Sequence, residues 1–202
     1  MAEDHEIVGR VLRASTRGFA CGTHSDRISD RHNFGAFVKV PVANSVNGDQ
    51  AIGLIYKVEI QDDPLVSELV MGEYMPENIL RDQRQNRMVP VEVMVLNIGY
   101  MEGGAVIHSL PPRPPMSLSE VLLCTDEEVY YFTQRYAFFR MVLNASEVPA
   151  DDLLASALRV AATIYGDERE RYDFLVQCGR QLARDLSHDL KRLSHILALI
   201  RP

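Results

Sequence analysis

Arg81, Arg84 and Arg87 are the most suggestive charges in the chain. If Pro76-Glu77-Asn78 opens a helix, their spacing of three puts them within about a third of its circumference. A guanidinium is a planar fork of donors that matches phosphate or carboxylate, so the ridge can bind an anion or dock an acidic partner. Its other reading is a solvated face with Glu77 and Asp82 as partners. Arg113 stands between paired prolines in Leu110-Pro111-Pro112-Arg113-Pro114-Pro115. Its backbone is stiff there, and a fixed arginine at a subunit boundary can dock an acidic neighbour. The alternative is a solubilising side chain.

Motifs for catalysis are absent. The histidines are His5, His24, His32, His108, His188 and His195, and no HExxH occurs. His188 and His195, seven apart on one expected helix, can face one way, but no carboxylate-plus-histidine ligand set accompanies them. They are expected to face solvent or cap helices. His24, Ser25, Asp26 and Asp30 are the residue types of a hydrolytic triad. A triad needs residues that meet in space, and this polar stretch predicts a strand-connecting loop instead. GxxxxGK[ST], GxGxxG and GxSxG are all missing, and after Gly104 the only glycines are Gly166 and Gly179 and the only lysine is Lys191. The amides and lysine that would cradle a triphosphate are therefore lacking. Cys21, Cys124 and Cys178 form no CxxC and are expected to be buried free thiols. The expectation is a protein without metal, cofactor or catalytic residues.

The chain has 202 residues, enough for one large or two small domains. Apolar residues make up 47% and charged residues 24%, which suits a packed core and argues against global disorder. A net charge of −7 weighs against a protein that coats nucleic acid. No stretch approaches the roughly 20 apolar residues of a membrane span. The opening Met1-Ala2-Glu3-Asp4-His5-Glu6 lacks the basic-then-apolar order of a signal peptide. The expected location is the cytoplasm.

Two periodicities divide the chain. From residue 6 to about 60 short runs read as strands. They include Glu6 to Arg13, a turn at Ser15-Thr16-Arg17-Gly18, Ala36 to Val40, an Asn47-Gly48 turn and the long run Ala51 to Ile60 with a bulge or bend at Gly53. Residues 61–88 break the pattern and are partly helical. Strand character returns at Val89 to Gly99, where Val91, Val93 and Val95 mark a core face, and Gly103-Gly104 turns the chain into Ala105 to His108. These strands predict a barrel or sandwich. The proline run is expected to form a stiff strap leaving the barrel, the alternative being a ligand for a proline-recognition domain.

Beyond it the period is helical. Ser117-x-x-Glu120 is a capping box for a short helix, and Thr125-x-x-Glu128 is another, opening a helix with Val129, Phe132, Tyr136, Phe139, Met141 and Val142 inward. Pro149-Ala150-Asp151-Asp152 starts the next helix, whose stripe runs from Leu154 to Tyr165. Asp167-x-x-Glu170 caps a last helix whose stripe, from Phe174 to Ile200, persists to the C-terminus. The prediction is an α+β protein: a barrel over 1–110 with an insertion at 61–88, a strap at 111–116 and a helical module over 117–202.

Residues 6–116 resemble the barrel shared by HerA-type ATPases and the N-terminal part of rotary ATP synthase subunits, the HerA–ATP synthase (HAS) barrel. The residues that carry this are Ile7-Val8-Gly9-Arg10-Val11, Gly53-Leu54-Ile55-x-x-Val58 and Val91-x-Val93-x-Val95, and the proline run looks like the exit those ATPases show before their motor domain. In that family the barrel helps assemble an ATPase ring and docks accessory subunits. Where the family continues into a phosphate-loop motor, this chain continues into helices. The resemblance therefore implies docking and assembly but not ATP hydrolysis, and no catalytic residue carries over. The expected function is a non-catalytic assembly or adaptor protein that binds a protein partner, the candidates being a HerA-type ATPase or related ring complex and a second copy of itself. Two alternatives stay open. One is a nucleic-acid-binding barrel using Arg10, Arg13, Arg17 and the 81–87 ridge, against which stand the acidic balance and the lack of Trp. The other is an enzyme with dispersed site residues, which a buried His, Asp and Arg cluster would favour and an aliphatic barrel interior would disfavour.

Overall fold

Val91, Val93 and Val95 alternate along one strand, and all three are buried inside a closed barrel. The computed structural model describes residues 7–24, 28–45, 48–60 and 90–201. In these residues the strands are β1 (Ile7–Ala14), β2 (Gly18–His24), β3 (Phe37–Pro41), β4 (Gln50–Ile60), β5 (Pro90–Glu102), β6 (Ala105–Ile107) and β7 (Glu120–Leu123). Their spatial order is β2-β1-β7-β3-β4-β5-β6, every pairing antiparallel. β2 also pairs with β5 in unbroken register from Gly18↔Leu96 to His24↔Pro90. That pairing closes six strands into a ring and leaves β6 outside it on β5. Closure removes the free edges that an open sheet would expose. Register shifts at Val11/Arg13, Ile52/Gly53 and Ile55/Lys57 bend the strands around the ring, the second at the glycine where a bulge was expected. Gly103 and Gly104, at φ 55° and 85°, make the tight turn from β5 into β6.

The helices are α1 (Asp126–Thr133), α2 (Phe139–Leu143), α3 (Ala150–Thr163), α4 (Glu168–Asp185) and α5 (Leu190–Leu199). They cover the outer face of β3, β4 and β5. Phe37, Ile52, Leu54 and Ile98 turn outward and join Phe132, Phe138, Leu154 and Leu158 in a second core. Strands covered on both faces read as continuous apolar runs, which is why Ala51, Ile52, Gly53, Leu54 and Ile55 are all buried. Edge-to-face ring contacts at 6.2 Å (Phe37 and Phe132) and 6.5 Å (Phe37 and Phe138) tie the two layers. The α+β architecture, an N-terminal barrel followed by helices, is as expected. Among the described residues no helix is long and apolar enough to cross a membrane.

Several local expectations are corrected. The helix predicted from Ser117-x-x-Glu120 is a strand. β7 slots between β1 and β3, with Gly9↔Val121 and Val38↔Leu123 in register, and Val121 is wholly buried in the barrel. Two strand edges awaiting partners outweigh a local capping pattern worth about 1 kcal/mol. The proline run accordingly does not leave the barrel. It crosses it, with Pro115 bridged to Val42 and the Ala43 amide donating to the Pro114 carbonyl at 3.0 Å.

The helix opened by Thr125 has its expected capping box, Glu128 N to Thr125 Oγ1 at 3.3 Å and Thr125 N to Glu128 Oε2 at 2.8 Å. It ends at Thr133, and Phe139–Leu143 form a separate helix that brings Phe138, Phe139 and Val142 to full burial. The last expected helix is also two. Residues 186–189 turn the chain, Asp189 caps α5 by accepting from Arg192 N at 3.1 Å, and α5 folds back on α3 so that Ile196 and Ile200 are buried. His188 therefore lies in this link and His195 on α5, not on one helix.

Candidate functional site

The turn between β1 and β2 is built by its own side chains. Ser15 N donates to the Gly18 carbonyl at 2.8 Å, and Arg17 N donates to Ser15 Oγ at 3.2 Å. β5 then pins it. Asn97, only 1% exposed, donates Nδ2 to the Thr16 carbonyl at 3.0 Å and its backbone N–H to the Arg17 carbonyl at 2.9 Å. Its Oδ1 is buried without a partner. The result is a fixed backbone from which Arg17 projects into solvent.

Arg17 stands at the junction of two adjoining clefts between the barrel rim and the link from α2 to α3. One, of about 280 Å³, is lined by Phe19, Tyr56, Met94, Leu96, Glu147 and Val148 among others. The second, also about 280 Å³, is lined by Leu96, Asn97, Leu110, Arg140, Met141 and Asn144. Arg17, Leu96 and Ala145 border both, so together they form one trough. Its floor is apolar and its rim carries cations. Arg13, on the rim of the first cleft, is engaged by the buried Glu92 carboxylate. Arg17 and Arg140 have no hydrogen bond or ion pair from their guanidinium groups among the described residues. The Tyr56 phenol is pushed up from its ordinary range by burial and then by the charge of Glu147.

The residues singled out from the sequence fall elsewhere. Arg81, Arg84 and Arg87, with the insertion at 61–88, lie outside the described residues. Arg113 is exposed on the proline strap, away from the trough lining. Of the arginines set aside for nucleic acid, Arg10 is paired with Glu120 at 2.6 Å and Arg13 with Glu92, which leaves Arg17 unengaged. His24 ends β2 rather than sitting in a loop, Asp30 starts a short 3₁₀ turn (Asp30–His32), and Ser25 and Asp26 lie outside the described residues.

The buried His32 and the half-buried His108 are structural. His32 Nδ1 accepts from Ser29 N at 3.2 Å, and its Nε2 donates to the Val8 carbonyl at 2.9 Å. His108 donates Nε2 to the Phe132 carbonyl at 3.0 Å against the Phe132 ring, and burial holds its imidazole below the ordinary range. Cys21 and Cys178 are buried free thiols, each pushed up to about 12 by that burial; Cys124 is a free thiol, partly exposed and also raised. Such thiols are poor nucleophiles. Among the described residues no group of three or more His, Cys, Asp and Glu side chains could hold a metal ion.

Sequence reasoning missed the trough because its two lips are more than a hundred positions apart. One signal was present. Asn97 interrupts the apolar run Val93 to Ile98, where a polar side chain needs a reason to be buried.

A scan against protein-family models gives no match, and a search of curated proteins gives no significant match.

Proposed function

We propose that this chain is a non-catalytic docking protein, an assembly or adaptor component that binds a protein partner. The observation that carries this reading is the trough between barrel and helices, apolar on its floor and edged by the unengaged Arg17 and Arg140. Cations on rigid elements beside apolar surface are the makings of a protein interface, where arginine and aromatic residues are enriched.

Two further observations support it. The barrel interior is filled with aliphatic side chains such as Val8, Val38, Ile55 and Val93, so binding belongs on the outer surface. Next to β1 the exposed Leu12, Met116 and Leu118 gather, Leu118 N donating to the Val11 carbonyl at 2.9 Å. Leu118 is 69% exposed and held at φ 66°, a left-handed conformation that costs a leucine about 1 kcal/mol or more. The resemblance of residues 6–116 to the HAS barrel supplies a partner class, a HerA-type ATPase or related ring. Three free thiols suit a reducing compartment, in keeping with a cytoplasmic location.

The test is a solution mass of the purified full chain read beside a pull-down with tagged chain as bait. The expected result is a self-assembled species or a stoichiometric partner of ATPase type. A strict monomer that retains nothing overturns the proposal.

A further inference from the structure

We propose that the Arg17–Arg140 trough takes a short segment of a partner protein in which an acidic residue adjoins a large apolar one. This rests on the docking reading and adds the chemistry of the bound partner. Both cations sit on elements that cannot easily retreat. Arg17 rides on the turn that Asn97 pins at 3.0 and 2.9 Å. Arg140 lies in α2 between Phe139 and Val142, both fully buried. The fixed backbone of both arginines removes part of the ordering cost when the guanidinium groups close on a carboxylate. The exposed Asn144 amide lies in the same cleft and adds a donor.

The cleft that Arg17 and Arg140 share is also lined by Leu96, Leu110 and Met141. It offers dispersion and area burial to an aliphatic or aromatic side chain next to the carboxylate. Each lobe, at about 280 Å³, suits a side chain or two rather than a folded element.

The charges favour a discrete anion over a polyanion. Glu147 lines the neighbouring lobe, and the Arg13 on that rim is already engaged by Glu92. A nucleic-acid backbone running along the trough would pass Glu147 and the field of a chain with net charge −7. A peptide can place its carboxylate at Arg17 and Arg140 and present an apolar side chain to the Phe19, Tyr56 and Met94 lobe.

The experiment selects a random short-peptide display library on the full chain, then measures an enriched, fluorescein-labelled peptide by anisotropy. Enrichment of Asp or Glu beside Leu, Met or Phe is expected. Arg17→Gln and Arg140→Gln should each weaken that peptide about tenfold, the range of a charge-assisted pair, with Arg→Lys intermediate. Changing the peptide's acid to its amide should cost the wild-type chain as much as removing both arginines does, and should cost the double Gln variant little more. Both arginines are exposed, so unchanged thermal melting verifies that the variants fold. Several results overturn the proposal: no acidic enrichment, enriched peptides held equally by the double Gln variant, or labelled oligothymidylate bound and then released by the same substitutions. A homodimer dissolved by them assigns the trough to a second copy and overturns it too. If the double variant still captures the wild-type partner, the trough assignment falls and the docking reading stands. A wild-type monomer that captures nothing removes the docking reading independently of the peptide result.

Discussion

Lys39 Nζ lies 2.5 Å from Glu128 Oε1, so a strand of the barrel and the first helix are joined by a largely buried ion pair. Lys39 is in β3, where Phe37, Val38 and Val40 are also buried, and it points away from the barrel interior into the layer beneath the helices. Glu128 uses its other oxygen to accept from Thr125 N at 2.8 Å, so one carboxylate caps α1 and anchors it to the sheet. Lys39→Met leaves that carboxylate without its cation in a poorly solvated place. The expected loss is about 2–3 kcal/mol, below the range for a fully buried pair because Glu128 retains some solvent. Urea denaturation measures it. The double change Lys39→Met with Glu128→Gln should recover part of the loss, since no unpaired charge remains and the glutamine can still cap.

Gly35, just before β3, lies close against α3. At φ 84° it is left-handed, and a Cβ there would lie 2.7 Å from Ser156 Oγ and 2.8 Å from Ala157 N. Ser156 Oγ donates to the neighbouring Phe34 carbonyl at 2.7 Å, so it is not free to move aside. Gly35→Ala should cost about 2–4 kcal/mol, adding steric overlap to the conformational cost. Gly48 is the control: φ 71°, but nothing within 4 Å of its Cβ position. Gly48→Ala should cost only about 1 kcal/mol. Equal losses in thermal melts of the two variants would show that contact with α3 contributes nothing.

β7 sets a boundary condition on the barrel. Because it supplies the partner of both β1 and β3, a fragment ending at residue 116 leaves two unpaired edges and lacks Val121 from the interior. Such a fragment should show no cooperative unfolding and poor amide dispersion in NMR spectra. A fragment that melts cooperatively would show that five strands suffice.

His108 gives the fold a pH slope of predictable sign. Burial first, and the nearby Arg135 charge, hold its folded-state pKa below the ordinary 6.5, despite the Phe132 carbonyl hydrogen bond that opposes them. In the unfolded chain it protonates more readily. Between those two values the unfolded state binds the extra proton, so stability falls as pH drops through 6.5 and levels off below the folded-state pKa. His108→Gln should flatten this part of a stability–pH curve measured by denaturant titration. A slope unchanged by the substitution would place its origin in another group.

Much of this architecture was legible along the chain. The alternation Val91, Val93, Val95 identified the barrel-facing side of β5, because a strand points every second side chain to one face. Thr125-x-x-Glu128 marked the start of α1, and Gly103-Gly104 the turn to β6, because capping and left-handed turns depend on neighbours within a few residues. Ser117-x-x-Glu120 shows the limit of such signals. It has the same pattern as the true cap eight residues later, yet it leads into β7, because the open edges of β1 and β3 reach it from residues 7–14 and 37–41. The stripe from Phe174 to Ile200 likewise recorded which residues are apolar but not the reversal at 186–189, which the burial of Ile196 and Ile200 requires. The trough depended on tertiary structure altogether. Arg17 belongs to a strand turn and Arg140 to a helix, and neither has a local pattern that names the other. Only closure of the barrel and the docking of α2 over β5 set both on one cleft, since contacts between distant segments are decided by packing rather than by local conformation.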